Sequence, residues 1–149
     1  MTQIYESVVR IRFGHCDPAG IVYHPQYFAI LNYVMEDFFR DVLGVPFNNL
    51  ETVGVGLPVA GVRCDFAAPG RVGDVCTARL WAEHVGEKSI RFAIAMHCGE
   101  ELRLQCVETV VCVKLEDGRL VSTPIPDELR AKLEPYEADE TTPPLRLRA

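Results

Sequence analysis

His24-Pro25-Gln26-Tyr27-Phe28-Ala29-Ile30-Leu31-Asn32-Tyr33-Val34-Met35-Glu36-Asp37-Phe38-Phe39-Arg40-Asp41-Val42-Leu43-Gly44 is the stretch whose pattern decides the architecture. Proline suits the first helical position, where its missing N–H costs no hydrogen bond, and this puts His24 near the N-cap. Gly44, with Pro46 just beyond, is a stop signal. The spacing therefore predicts a helix from about Pro25 to Leu43. At about 100° per residue, Tyr27, Phe28, Leu31, Val34, Met35, Phe38, Phe39 and Val42 gather on one broad arc. Asn32, Glu36, Asp37, Arg40 and Asp41 lie elsewhere. So wide and aromatic a stripe predicts a helix embraced by a curved sheet.

On both sides of this helix the period changes to two. Ile4 to Phe13 is β-rich, and Val59 to Phe66 reads as a strand broken by Pro69-Gly70. Asp74 to His84 alternates Val75, Thr77, Arg79 and Trp81 against Cys76, Ala78, Leu80 and Ala82. Lys88 to Cys98 follows, then a Gly99-Glu100 turn and one long final strand from Leu102 to Leu115. Asp117-Gly118 turns the chain, and Asp127 to Leu133 reads as a short closing helix after Pro124 and Pro126. The order is β, one long helix, then four strands in meander, an α+β domain over residues 1–136. Residues 137–149 form a polar C-terminal tail.

The 149 residues suit a single domain with a sizeable core, and a net charge of −6 argues against a nucleic-acid partner. No apolar run approaches the roughly 18 residues of a membrane span, and no basic n-region precedes an apolar stretch at the N-terminus. No membrane insertion and a cytoplasmic location are expected. The six cysteines include no C-x-x-C pair, and five fall within strand-like runs, where a free thiol acts as a small hydrophobe.

Phe13-Gly14-His15-Cys16-Asp17-Pro18-Ala19-Gly20-Ile21-Val22-Tyr23-His24-Pro25 is the segment with chemistry in it. Asp17-Pro18-Ala19-Gly20 has the residue order of a β-turn. One carboxylate thus sits a few residues before a helix N-terminus, where unpaired N–H groups and the positive dipole end can hold charge on a carbonyl oxygen. The carboxylate can attack that carbonyl or take a proton from the attacking water. The competing reading is that Asp17 only caps its own turn. The His24 side chain can orient water or substrate, or serve the helix start alone. His15 more plausibly packs locally, Cys16 has no evident partner for nucleophilic work, and the backbone around Pro25 opposes a metal site built from His15, Asp17 and His24.

The segment from Phe13 to Phe28 resembles the signature of the 4-hydroxybenzoyl-CoA thioesterase family and of the similar Tol–Pal-associated acyl-CoA thioesterases. The likeness extends from about residue 4 to 134, through Ala67-Ala68-Pro69, Gly73-Asp74, Val85 to Ser89, Asp117-Gly118-Arg119 and Ile125-Pro126. It implies a hot-dog fold, a dimer with sheets joined edge to edge and able to assemble to a homotetramer, and an active site at the subunit interface. It implies Asp17 as nucleophile or general base, with the His24 N–H polarising the thioester carbonyl. Tyr23, Pro25, Tyr27 and Asn32 would then lie against the acyl group, and Lys88, Ser89 and Arg119 would meet the CoA nucleotide. Coenzyme A is part of the substrate, and no separate cofactor or metal is implied.

Two positions depart from the 4-hydroxybenzoyl-specific enzyme, which has Tyr in place of His24 and Asp in place of Asn32. A basic pair in that enzyme is Gly86-Glu87 here, and Arg63, Arg71 and Arg91 are the candidate substitutes. The expected activity is hydrolysis of an aryl- or short-chain acyl-CoA. The alternatives are a hot-dog enoyl-CoA hydratase or dehydratase and a non-catalytic acyl-CoA-binding dimer. Tyr27, Phe28 and Tyr33 are equally at home in an aryl pocket or in the core.

Overall fold

Regular alternation decides which face of each strand is buried, and one helix is what those faces cover. The computed structural model describes residues 1–46 and 54–149. The elements are β1 (Tyr5–Arg10), a 3-10 turn at Phe13–His15, α1 (His24–Phe38) continued by a π turn (Phe39–Leu43), and β2 (Val59–Phe66). β3 (Val75–Val85), β4 (Ser89–Cys98), β5 (Glu101–Val111), β6 (Val113–Glu116), β7 (Arg119–Ser122) and α2 (Asp127–Leu133) follow. Cys76, Ala78, Leu80 and Ala82 of β3 share the core with Ile90, Phe92, Ile94 and Met96 of β4 and with Leu104, Cys106 and Val110 of β5. Against them lies the apolar arc of α1, with Tyr27, Ile30, Leu31, Val34, Met35 and Phe38 buried.

Phe38 is the centre of this packing. It is fully buried, and its ring meets Tyr5 at 5.5 Å, Phe92 at 5.8 Å and Tyr136 at 5.3 Å, all edge-on. Such edge-to-face contacts add to simple burial. The last turn widens at Phe39–Leu43, and Gly44, at φ 67°, leaves the helix in the left-handed conformation that costs glycine least. The Lys132 Nζ donates to the Leu43 carbonyl at 2.9 Å, satisfying an orphan acceptor at the negative end of the helix.

Several expectations are corrected. His24 is already helical and Pro25 is the second residue, so Tyr23 is the N-cap. The strands are not a simple meander: the five-stranded antiparallel sheet runs β1-β3-β4-β5-β2. Alternation tells which face of a strand is buried, but nothing in it tells which edge the strand joins. Leu102 to Leu115 is two strands: β5 ends at Val111, and the chain passes through the buried Cys112, whose N–H donates to the Lys88 carbonyl at 2.7 Å, into β6. Beyond that break β6 pairs with β7 in a separate hairpin around Asp117-Gly118, both at positive φ, as a tight two-residue turn requires.

Residues 137–149 lie along the outer face of the sheet, the side away from α1. The Ala138 N–H donates to the Ala82 carbonyl at 2.8 Å, Leu145 packs with the small cluster of Trp81, Ala93 and Ala95, and the Arg146 N–H reaches the Gln105 Oε1 at 3.0 Å. The Arg148 N–H ends the run on the Asp65 carboxylate.

Phe38→Ala should cost about 3–5 kcal/mol of stability, since the rings around the vacated space are themselves locked in the core. Chemical denaturation of the variant against the parent measures it.

Candidate active site

The loop before α1 is built from backbone hydrogen bonds that fold it back on itself. The Asp17 N–H donates to the Ile21 carbonyl at 3.0 Å, and the Gly20 N–H closes the turn on the Asp17 carbonyl at 2.9 Å. Cys16 bridges Val22, and Ile21 bridges Arg71. The Tyr23 N–H then donates to the His15 carbonyl at 2.9 Å, which aims the chain into the helix. The half-buried Asp17 does cap its turn: its Oδ1 accepts the Ala19 N–H at 2.9 Å. That occupies one carboxylate oxygen. Among the described residues the other makes no hydrogen bond.

At the start of α1 the Gln26 N–H folds onto the Tyr23 carbonyl at 2.8 Å, Pro25 has no N–H, and among the described residues the His24 N–H has no acceptor. The exposed His24 ring lies 5.6 Å from the Tyr23 ring and 6.4 Å from Phe66, and it makes no hydrogen bond to Asp17. Tyr27 stacks on Phe66 at 5.5 Å, and Phe28 meets the same ring edge-on at 6.5 Å. An apolar wall thus flanks the donor. The other side chains in the loop have structural work. The His15 Nδ1 accepts the Arg12 N–H at 2.9 Å, and the Cys16 thiol points to the Arg12 carbonyl at 3.7 Å.

The loop and helix start rest on the turn at residues 69–74. The Val22 N–H donates to the Gly70 carbonyl at 2.9 Å, and the Ile11 N–H to that of Asp74 at 2.9 Å. Arg103 clamps the turn from below. Its Nη1 donates to the Asp74 Oδ2 at 2.7 Å and to the Pro69 carbonyl at 3.1 Å, while the Arg71 N–H reaches the same Asp74 oxygen at 2.9 Å. The Arg103 guanidinium, helped by that N–H, holds the Asp74 carboxyl below its usual range. A side chain at Gly70 has no room: a Cβ there would lie 2.6 Å from the Tyr27 hydroxyl and 3.0 Å from the Val22 Cγ2. The Tyr27 hydroxyl is buried without a well-aligned hydrogen bond, and burial raises its pKa against a smaller opposing effect of the Gly70 backbone.

The fold therefore gathers Asp17, Tyr23, His24, Pro25 and Tyr27 at one end of the sheet. Asn32 is exposed on α1 about two turns further on. Lys88, Ser89 and Arg119 are elsewhere. β3 runs its eleven residues from the Asp17 end to the turn that precedes Lys88, so within one chain they lie roughly 30 Å from that end. Arg91 is on the outer face, ion-paired with Glu83 at 2.6 Å. Phe66, Gly70 and Arg103 belong to the site and were not legible beforehand. A glycine after proline looks like an ordinary turn, and an arginine in a strand looks like a surface charge.

An antiparallel sheet closed around a single long helix defines a hot-dog protein. More particularly, residues 11–133 match the thioesterase-like superfamily, and the chain belongs to it. It is 25% identical over 114 residues to a putative acyl-CoA thioesterase, YneP, of Bacillus subtilis (strain 168), covering 76% of this chain and 82% of that one. It is 34% identical over 82 residues, 54% of this chain and 58% of the relative, to the 4-hydroxybenzoyl-CoA thioesterase of Pseudomonas sp. (strain CBS-3). The dynemicin thioesterase structure superposes with a TM-score of 0.82 at 21% identity, covering 92% of this chain and 99% of that one. No helix among the described residues is long and apolar enough to cross a membrane.

Gly70→Ala should lower the melting temperature by several degrees, because the clash falls on the buried Tyr27 hydroxyl. Combining it with Tyr27→Phe should recover part of that loss, which thermal unfolding of the two single variants and the double variant resolves.

Proposed function

We propose that the protein is an acyl-CoA thioesterase in which Asp17 is the nucleophile or general base and the His24 N–H polarises the thioester carbonyl. The observation that carries this is the pairing of a half-engaged carboxylate with an unsatisfied helix-start donor in one short loop. A carbonyl lodged at the first turn of α1 meets a donor already fixed in place, so charge developing on its oxygen needs no reorganisation to be stabilised. The free oxygen of Asp17 either attacks the carbonyl carbon, releasing the CoA thiolate and leaving a mixed anhydride for water to open, or removes a proton from the attacking water. Both routes use the ionised carboxylate and end in a free acid and a free thiol. Tyr23, Pro25, Tyr27, Phe28 and Phe66 offer an apolar wall nearest the carbonyl, suited to an aryl or short aliphatic acyl portion. No cofactor is invoked beyond the coenzyme A that the substrate carries. A reducing compartment such as the cytoplasm suits the unpaired cysteines.

A second copy completes the site. Among the described residues β2 ends the sheet with an open edge, and two such edges joined about a two-fold axis perpendicular to the sheet run antiparallel. That operation swaps the two ends of the sheet, bringing Lys88, Ser89 and Arg119 of the partner subunit beside the first subunit's Asp17 end. Residues too remote in one chain would thus share one ligand across the dimer, the acyl portion on one subunit and the CoA phosphates on the other. Pairing of dimers into a tetramer remains compatible with this arrangement.

Asp17→Asn should cut kcat by about 10²-fold or more with little change in KM, since the lost group acts in the transition state. Thiol release from a panel of CoA esters is the assay; near-parental turnover would remove Asp17 from the mechanism. Lys88→Glu should instead raise KM by roughly tenfold at unchanged kcat. Sedimentation that finds only monomers at full turnover would exclude the shared site. Loss of an enoyl absorbance without thiol release would favour a hydratase.

A further inference from the structure

Glu108 is the one carboxyl side chain that the fold buries on the helix-facing side of the sheet without giving it a partner among the described residues. It is 6% exposed, and its pleat position puts it with Leu104, Cys106 and Val110, which belong to the core. Across the ladder it faces Phe92 of β4 on one side and Val62 of β2 on the other. Among the described residues no hydrogen bond or ion pair reaches its carboxyl, and burial raises its pKa. Its oxygens are not fully enclosed, so the carboxyl keeps an opening through which a ligand can reach it, although the burial of its stem favours a hydrophobe in its place. Its neighbour on the open edge is unusually bare: on the same face of β2, Phe66 is 39% exposed, Val62 is 44% exposed, and Cys64 between them is partly exposed. With Phe28 of α1, 42% exposed, they form an apolar stripe from the helix start inward.

We infer that this stripe is the path of the acyl group and that Glu108, at its inner end, hydrogen-bonds an oxygen at the end of the acyl group remote from the thioester. Four residues of β2 separate Phe66, whose ring lies 6.4 Å from that of His24, from Val62, paired with Glu108, which is roughly 13 Å of strand. An extended chain advances about 1.2 Å per bond, so roughly eight to ten carbons, with a terminal C–O bond and a hydrogen bond of about 2.8 Å added, span the distance. An aryl or short acyl group at the carbonyl would fall short of it. Beyond the aryl or short groups that the wall nearest the carbonyl suits, the further substrate class is therefore a medium-length acyl-CoA with a hydroxyl or keto oxygen at its far end. A protonated carboxyl can donate to such an oxygen and accept from a hydroxyl in the same place. This rests on the thioesterase reading and deepens it.

The test compares octanoyl- and decanoyl-CoA with their terminally hydroxylated counterparts, by thiol release, on the parent, Glu108→Gln and Glu108→Leu. In the parent, kcat/KM should be at least about tenfold higher for the hydroxylated member of the matched pair that best spans the stripe. Glu108→Gln, which keeps donor and acceptor, should retain that preference. Glu108→Leu should lose it while hydrolysing the plain esters as well as the parent or better, and its melting temperature should rise. Equal rates on the matched pairs in the parent, or a preference that survives in Glu108→Leu, would overturn the assignment while leaving the thioesterase intact. Thiol release from none of the esters would instead overturn the thioesterase reading.

Discussion

Burial of one aromatic face of α1 within the concave side of the sheet is the constraint from which the rest follows. That face is wide because it is met by β1, β3, β4 and β5, whose inward residues are almost all apolar. Phe38 ties the sheath to both ends of the chain, touching Tyr5 of β1 and Tyr136 beyond α2. A helix held this way cannot shift along its axis without breaking that packing. Its first turn is therefore a fixed point in the molecule, and a fixed donor is what carbonyl polarisation requires.

The loop that brings Asp17 to this point is held mostly by backbone groups rather than by side-chain packing. It leans on the 69–74 turn, and that turn is pinned by the buried Arg103 through Asp74 and the Pro69 carbonyl. Gly70 allows the closest approach, with the Tyr27 hydroxyl in the space a side chain would fill. Placement of the carboxylate thus depends on a charged clamp beneath it and on one missing methyl group. Neither touches a substrate.

The molecule also divides its apparent ligand groups between two ends of one sheet. Asp17 and the helix start lie at one end, and Lys88, Ser89 and Arg119 at the other, so no single chain unites them. Among the described residues no strand pairs with the outer edge of β2, and Val59, Val62 and Phe66 are exposed along it. The same edge leads inward to Glu108, a carboxyl with no structural reason for its place among the described residues.

Local pattern in the sequence was enough for the α+β class, for α1 with its glycine stop, for the bounds of β2 and α2, and for Asp17-Pro18-Ala19-Gly20 as a turn ahead of a helix. These depend on contacts between residues a few positions apart, and period and turn chemistry record such contacts directly. The pairing of β2 with β5, the break at Cys112, the clamp of Arg103 on Asp74 and the seating of residues 137–149 on the outer face were decided only in three dimensions. Each joins segments far apart in the chain, and an arginine, a glycine or a glutamate looks the same in sequence whether it ends in solvent or under a helix. What Asp17 is near could be read from the chain; what Lys88 and Glu108 are near depended on how the strands were ordered.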